Sequence, residues 1–264
     1  DYDKNLIYIV FESTGRSTLY DLINKQKLPH IQTIIQRGNY RNLEVQNVDI
    51  NYNDTYLTLF TGLDDSQLAL TSANYTANVS IVNTIKNAKP ELESIILFTP
   101  RDQPELDSVW MQFMESVVLS LNNKSRIKPM ASYYLGLESA SVIKETTTPF
   151  LLFLNFTHID RMGRRYREGG ELYSKALLNA DRAIGIIIKA LKKKGVYEQT
   201  EFLFTSNVGM RRATRESSEY TWVISSQKVQ RKGVIQDIVP SVYDLLDLKI
   251  EDQSGTGRNL FETP

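Results

Sequence analysis

Continuous apolar runs recur along this chain, each followed by a polar turn. The first is Leu6-Ile7-Tyr8-Ile9-Val10-Phe11, and Glu12-Ser13-Thr14-Gly15-Arg16 follows it. A run without polar alternation fits a strand covered on both faces, as in a parallel sheet. Ser94–Phe98, Pro149–Phe156, Phe202–Thr205 and Tyr220–Ile224 also read as strands, and Tyr40–Val48 as another. Helical patterns lie between them. Pro29 can open a helix that Gly38 closes. Asp54 or Thr55 can cap a short helix ending at Thr61-Gly62. Ser80–Asn87 and residues 106–122 and 131–146 predict further helices. The clearest is 170–194, where Leu172, Ala176, Ala180, Ala183, Ile187 and Leu191 fall on one stripe. Lys192, Lys193 and Lys194 suit its negative end, and Gly195 suits the cap. A closing helix runs through Ile238, Val242, Leu245 and Leu246, with Pro240 tolerable only in its first turn.

Alternating strands and helices predict an α/β fold, a mostly parallel central sheet flanked by helices on both faces. No linker, repeat or low-complexity tract divides the chain, so residues 1–264 read as one domain. Sites in such sheets form at the carboxyl ends of strands. Those ends are Glu12, Asn51-Tyr52, Asp160 and Asn207-Val208.

Composition narrows the partners. Lys plus Arg and Asp plus Glu both number 31, so the net charge is zero, which argues against nucleic acid or an anionic membrane as the main partner. No apolar stretch approaches the length of a transmembrane helix, and no targeting segment is visible. The absence of cysteine excludes disulfides and thiolate metal sites. Asn-X-Ser/Thr sequons occur at Asn53, Asn74, Asn78, Asn123 and Asn155. They read either as secretory-route glycosylation sites or as chance in an Asn-rich chain; Asn155, ending a core strand, is a poor acceptor. The compartment stays open, organellar or secretory.

Leu28–Ile31 with Gly38, Leu59–Gly62, Asp160–Tyr166, Thr205–Met210 and Gln236–Ser241 with Gly257–Leu260, in this order, resemble the alkaline phosphatase superfamily, in particular its phosphodiesterases, ethanolamine-phosphate transferases, sulfatases and lipoteichoic acid synthases. Leu28-Pro29-His30-Ile31 with Gly38 is similar to a Pro-Asn-Leu…Gly segment. Leu59-Phe60-Thr61-Gly62 looks like the end of the nucleophile helix, and Asp160-Arg161-Met162-Gly163-Arg164-Arg165-Tyr166 like Asp-x-x-Gly-His-x-Tyr. Thr205-Ser206-Asn207-Val208-Gly209-Met210 keeps the frame of Thr-Ser-Asp-His-Gly-Met. Gln236-Asp237-Ile238-Val239-Pro240-Ser241, with Gly257-Arg258-Asn259-Leu260, resembles the closing motif.

The resemblance implies one or two divalent ions that polarise a phosphoryl oxygen and activate a hydroxyl nucleophile. The matching positions are degenerate. Glu12 stands where most members have Asp, and reads either as a ligand or as a strand-end carboxylate capping a neighbour. Tyr52 occupies the nucleophile position, and Thr55 is three residues late and better read as a cap. Asp160 matches a ligand, but its partner His is Arg164, which has no lone pair to offer and is expected to pair with Asp160 instead. Asn207 and Val208 replace the Asp-His pair, and valine cannot ligate. The histidines are His30 and His158; the latter, two residues before Asp160, could share its side in an extended segment.

Arg161, Arg164, Arg165, Arg167, Arg211, Arg212 and Arg215 form two basic clusters. They read as an anion site, with Arg164, Arg211 and Arg212 foremost, or as a solvated rim with Glu168, Glu171, Glu216 and Glu219 as counter-charges. The expected function is that of a catalytically inactive relative acting as a structural or interaction subunit among other protein subunits, with no metal or other cofactor. The alternative is an active metal-dependent phosphodiesterase or phosphotransferase with an atypical site.

Overall fold

A computed structural model of the chain describes residues 3–46, 52–64, 67, 79–100, 109–212, 214–250 and 255–263. The apolar runs form the middle of one sheet. Strands β1 (Asn5–Phe11), β5 (Phe150–Phe156) and β6 (Thr200–Thr205) lie parallel, with β1 between the other two. On one side follow β3 (Glu93–Phe98) and β4 (Arg126–Ile127), also parallel. On the other, β9 (Tyr220–Ser225) runs antiparallel to both β6 and β2 (Asn39–Glu44), and β10 (Gly233–Val234) ends the sheet. The order is β10-β2-β9-β6-β1-β5-β3-β4, a mixed, mostly parallel sheet of the expected class. Both edges are two-residue strands, too short to template pairing with another chain. A hairpin of β7 (Gly209–Met210) and β8 (Ser217–Ser218), not anticipated, follows β6.

Period-two alternation divides the apolar runs between two cores. Leu6, Tyr8 and Val10 of β1 face one cluster, and Ile7, Ile9 and Phe11 the other. The first lies beneath α3 (Tyr52–Thr61), α4 (Ile81–Ala88), α5 (Val109–Leu119) and α9 (Ile238–Leu245). The second lies beneath α1 (Arg16–Asn24), α2 (Pro29–Arg37), α6 (Ser132–Glu145) and α8 (Glu171–Lys194). Each fully buried Leu, Ile or Phe contributes about 1.5–3 kcal/mol by leaving water.

Local chemistry sets the helix ends. Pro29 opens α2, and the carboxylate of Asp181, on α8, accepts from the N–H groups of His30 (3.1 Å) and Ile31 (2.8 Å). Two donors that any helix start leaves open are thus satisfied from across the core. Gly195 closes α8 with φ 80°, a left-handed conformation that glycine adopts at no steric cost. Pro240 falls in the first turn of α9, as expected. Two expectations need correction. α3 begins at Tyr52, so Asp54 and Thr55 are helical residues rather than caps. Leu172 is 37% exposed; Tyr173 takes the inward position in the first turn of α8.

Candidate functional site

The carboxyl ends of β1, β3, β5 and β6 converge, and hydrogen bonds stitch them into a floor. Glu12, fully buried, follows β1; its Oε1 accepts from the Tyr56 hydroxyl (2.6 Å) and from Asn155 Nδ2 (2.8 Å). Asn155 belongs to β5 and spans to Thr99 beyond β3, donating to Thr99 O (2.9 Å) and accepting from Thr99 N (2.8 Å). Burial and these bonds leave the Asn155 side chain no room for a glycan. Asn123 is exposed; Asn74, Asn78 and the side chain of Asn53 lie outside the described residues.

The turn after β1 is tied to the end of β6. Ser13 sits at φ 48°, a left-handed conformation costing about 1–3 kcal/mol in a non-glycine residue. Asn207 Oδ1 accepts from Ser13 N (3.0 Å) and Ser206 Oγ from Thr14 N (2.9 Å). The Tyr173 hydroxyl donates to Ser13 O (3.2 Å) and accepts from Gly15 N (3.1 Å), and Trp222 Nε1 donates to Thr14 O (2.9 Å). Burial pushes the Tyr173 phenol well above its ordinary range, so it keeps its proton and its role as donor. Asn207 therefore holds backbone. Among the described residues its Nδ2 has no hydrogen-bond partner, so it presents N–H where a carboxylate would present a lone pair. Val208 is fully buried and packs into the first core.

Asp160 is a helical residue, contrary to its reading as a strand end: β5 stops at Phe156, and α7 (His158–Tyr166) carries Asp160 in its first turn. One turn later Arg164 lays its Nε against both carboxylate oxygens, 2.9 and 3.1 Å away, as expected of this pair. On a helix, residues two apart point about 200° apart, so the shared side expected for His158 and Asp160 is not formed. His158 Nδ1 instead lies 2.8 Å from an Arg161 nitrogen. His30 packs against α8, where a Cβ on Gly185 would come within 2.4 Å of its Nε2.

The residues named as an anion site divide. Arg164, with Arg161, Arg165 and Thr99, lines a cavity of about 470 Å³. Arg211 and Arg212 line a different, shallower one of about 840 Å³ beside Gly15. Each of the latter has a carboxylate at 3.3 Å: Glu219 for Arg211, Glu168 for Arg212. Glu171 pairs with Lys175 rather than with the arginines. Glu168 is not a solvated rim residue. It is 1% exposed and its Oε1 accepts from Thr18 N (2.9 Å) and Thr18 Oγ1 (2.5 Å), capping the first turn of α1. Its place next to a run of arginines masked that role in the sequence. Tyr56 and Thr99 carried no signal at all, and Asn155 was marked only as a sequon.

The donors present do not suit a divalent ion. Arg164 places a cation on Asp160, Val208 offers no lone pair, and Asn207 turns its oxygen to the Ser13 amide. Among the described residues, no three His, Cys, Asp or Glu side chains are grouped to hold a metal. Tyr52 is the first residue of α3, and its side chain lies outside the described residues. Among the described residues, no helix is long and apolar enough to cross a membrane.

Residues 61–244 match the type I phosphodiesterase / nucleotide pyrophosphatase family. No curated protein matches the chain. Among solved structures, the lipoteichoic acid synthase LtaP from Listeria monocytogenes is similar, with TM-score 0.68 and 16% identity over 98% of this chain and 75% of that one. A protein of the alkaline phosphatase superfamily from Vibrio parahaemolyticus gives TM-score 0.70 and 14% identity, covering 100% of this chain and 71% of that one. Alkaline phosphatase from the Antarctic bacterium TAB5 gives TM-score 0.63 and 12% identity, covering 95% and 100%. At these identities the likeness is one of fold.

Proposed function

From the premise that the chain belongs to the type I phosphodiesterase / nucleotide pyrophosphatase family, within the alkaline phosphatase superfamily, we propose that it is a catalytically inactive member. Its role is that of a structural or interaction subunit of a larger protein assembly. The observation that carries this reading is the bond from Arg164 to Asp160 (2.9 Å), a side-chain cation seated on the carboxylate that resembles a ligand of the family's metal. Val208, buried in the core, and Asn207, holding the Ser13 amide, support it. Fold and chemistry are separable: a core can persist while its site residues change role.

The test is calorimetric titration with zinc, manganese and magnesium, together with turnover of bis(p-nitrophenyl) phosphate. The expected result is no stoichiometric binding and no turnover above the uncatalysed rate. Tight one-to-one metal binding, with turnover that Glu12→Ala abolishes, would establish the atypical phosphodiesterase instead.

A further inference from the structure

Far from the cleft, α6 and α8 lie side by side, with Gly136 so close to Ala183 that a Cβ at 136 would stand 2.9 Å from the Ala183 Cα. Toward their C-terminal ends they leave a groove of about 490 Å³. Ala140, Ile186 and Ala190 line it, and Lys144, Lys189, Lys193 and Lys194 surround them. These helix ends lead into the starts of β5 and β6, so the groove belongs to the end of the sheet opposite the cleft.

Lys194 is used within the fold, its Nζ donating to Thr146 O (2.6 Å) and Lys144 O (3.3 Å) at the end of α6. Lys144, Lys189 and Lys193 have no carboxylate at ion-pair distance among the described residues. Of the acids on α6, Glu138 is paired with Arg126 at 2.5 Å and Glu145 lies exposed beside Lys144. Lysines suit the last turn of a helix, which accounts for Lys193 but not for Lys189 one turn earlier. Like charges at that spacing oppose helix formation. The same outward side of α6 carries apolar surface: Tyr133 is 52%, Tyr134 64% and Leu137 44% exposed. Tyr133, Leu137, Ala140 and Lys144 follow the spacing of one helix stripe.

We infer that this groove docks an acidic amphipathic helix from a partner protein. The partner's apolar residues, spaced three and four apart, lie along Leu137, Ala140 and Ile186. Its Asp and Glu flanks meet Lys144, Lys189 and Lys193. Tyr133 to Lys144 spans about 16 Å along α6, room for about three turns of such a helix. Concavity favours a helix over a lipid surface, which is flat on this scale and would touch the rim alone. The inference rests on the interaction-subunit reading and names the chemistry of its partner.

The test uses the full chain and fluorescent three- to four-turn amphipathic peptides that share one leucine stripe and differ in flanks, all Glu or all Lys. The Glu peptide is expected to bind at least tenfold more tightly. Lys189→Glu/Lys193→Glu should reverse that preference, and Leu137→Asp should weaken the Glu peptide at least tenfold, with circular dichroism unchanged because these side chains are exposed. Equal binding of the two peptides, or indifference to the charge reversal, overturns the inference. So does sedimentation with phosphatidylserine vesicles that the charge reversal abolishes while neither peptide binds, which assigns the surface to a membrane. Self-association removed by Leu137→Asp, without peptide binding, assigns it to a second copy. None of these outcomes depends on phosphodiester turnover, so failure here and failure of the inactive-member reading are separately visible.

Discussion

Replacing Arg164 tests whether its guanidinium is what offsets the charge of Asp160. The Asp160 side chain is 6% exposed and that of Arg164 36%, so the pair is neither buried nor free in solvent. Exposed pairs couple by about 0.2–1 kcal/mol, and stripping one partner from a buried pair costs about 3–5 kcal/mol. With one partner over a third exposed, solvent screening lowers the upper figure, and Arg164→Met should cost about 2 kcal/mol. It leaves a buried carboxylate without that guanidinium. Asp160→Asn leaves a cation that can turn to water, and should cost about 1 kcal/mol. The double variant should recover about 1 kcal/mol of the sum, since the buried charge is gone. Urea unfolding of the four proteins closes the cycle. A coupling below about 0.3 kcal/mol, or Asp160→Asn proving the more harmful change, would refute the assignment.

Other substitutions probe the supports of the site and the groove. Glu168→Ala removes the acceptor for Thr18 and the partner of Arg212, so about 2–3 kcal/mol should be lost; an unfolding midpoint matching wild type would contradict the capping role. Gly136→Val places a branched side chain against Ala183 and should cost about 1–3 kcal/mol by forcing α6 from α8, seen as a lower thermal midpoint. Burial raises the Asp181 pKa, opposed by the N–H groups of Ile31 and His30 and by the charge of His30. A carboxyl held above its ordinary value near 4 contributes most stability below that pH and loses it as pH rises through the folded value. Asp181→Asn should therefore gain on wild type as pH rises above about 4; urea midpoints whose difference does not change with rising pH would count against it.

The sheet was legible because β1, β5 and β6 are buried on both faces and their runs say so. The antiparallel placement of β9 was not: Tyr220–Ile224 looks like any buried strand, and direction is decided by pairing with β2 and β6. Helix α1 went unseen because Gly15 stands at its N-cap with no side chain to cap it, and its first turn is capped from afar, by Glu168. At the site, single-residue chemistry was readable. Arginine cannot ligate and must find an anion, and Asp160 was one turn away. What Asn207 does instead was not readable, because its partner, Ser13 N, comes from a turn 194 residues earlier. The two basic clusters do line two separate cavities, but chain position alone did not show that Arg164 lines a different one from Arg211 and Arg212.

Arg164 and Asp160 share one short helix, and that shared address has a consequence for maturation. A charge that arrives with the peptide bond needs no delivery, no loading chaperone and no particular trace-element supply, and no chelator can withdraw it. The Asp160 carboxylate therefore has its counter-charge as soon as this helix winds, whatever ions surround the chain.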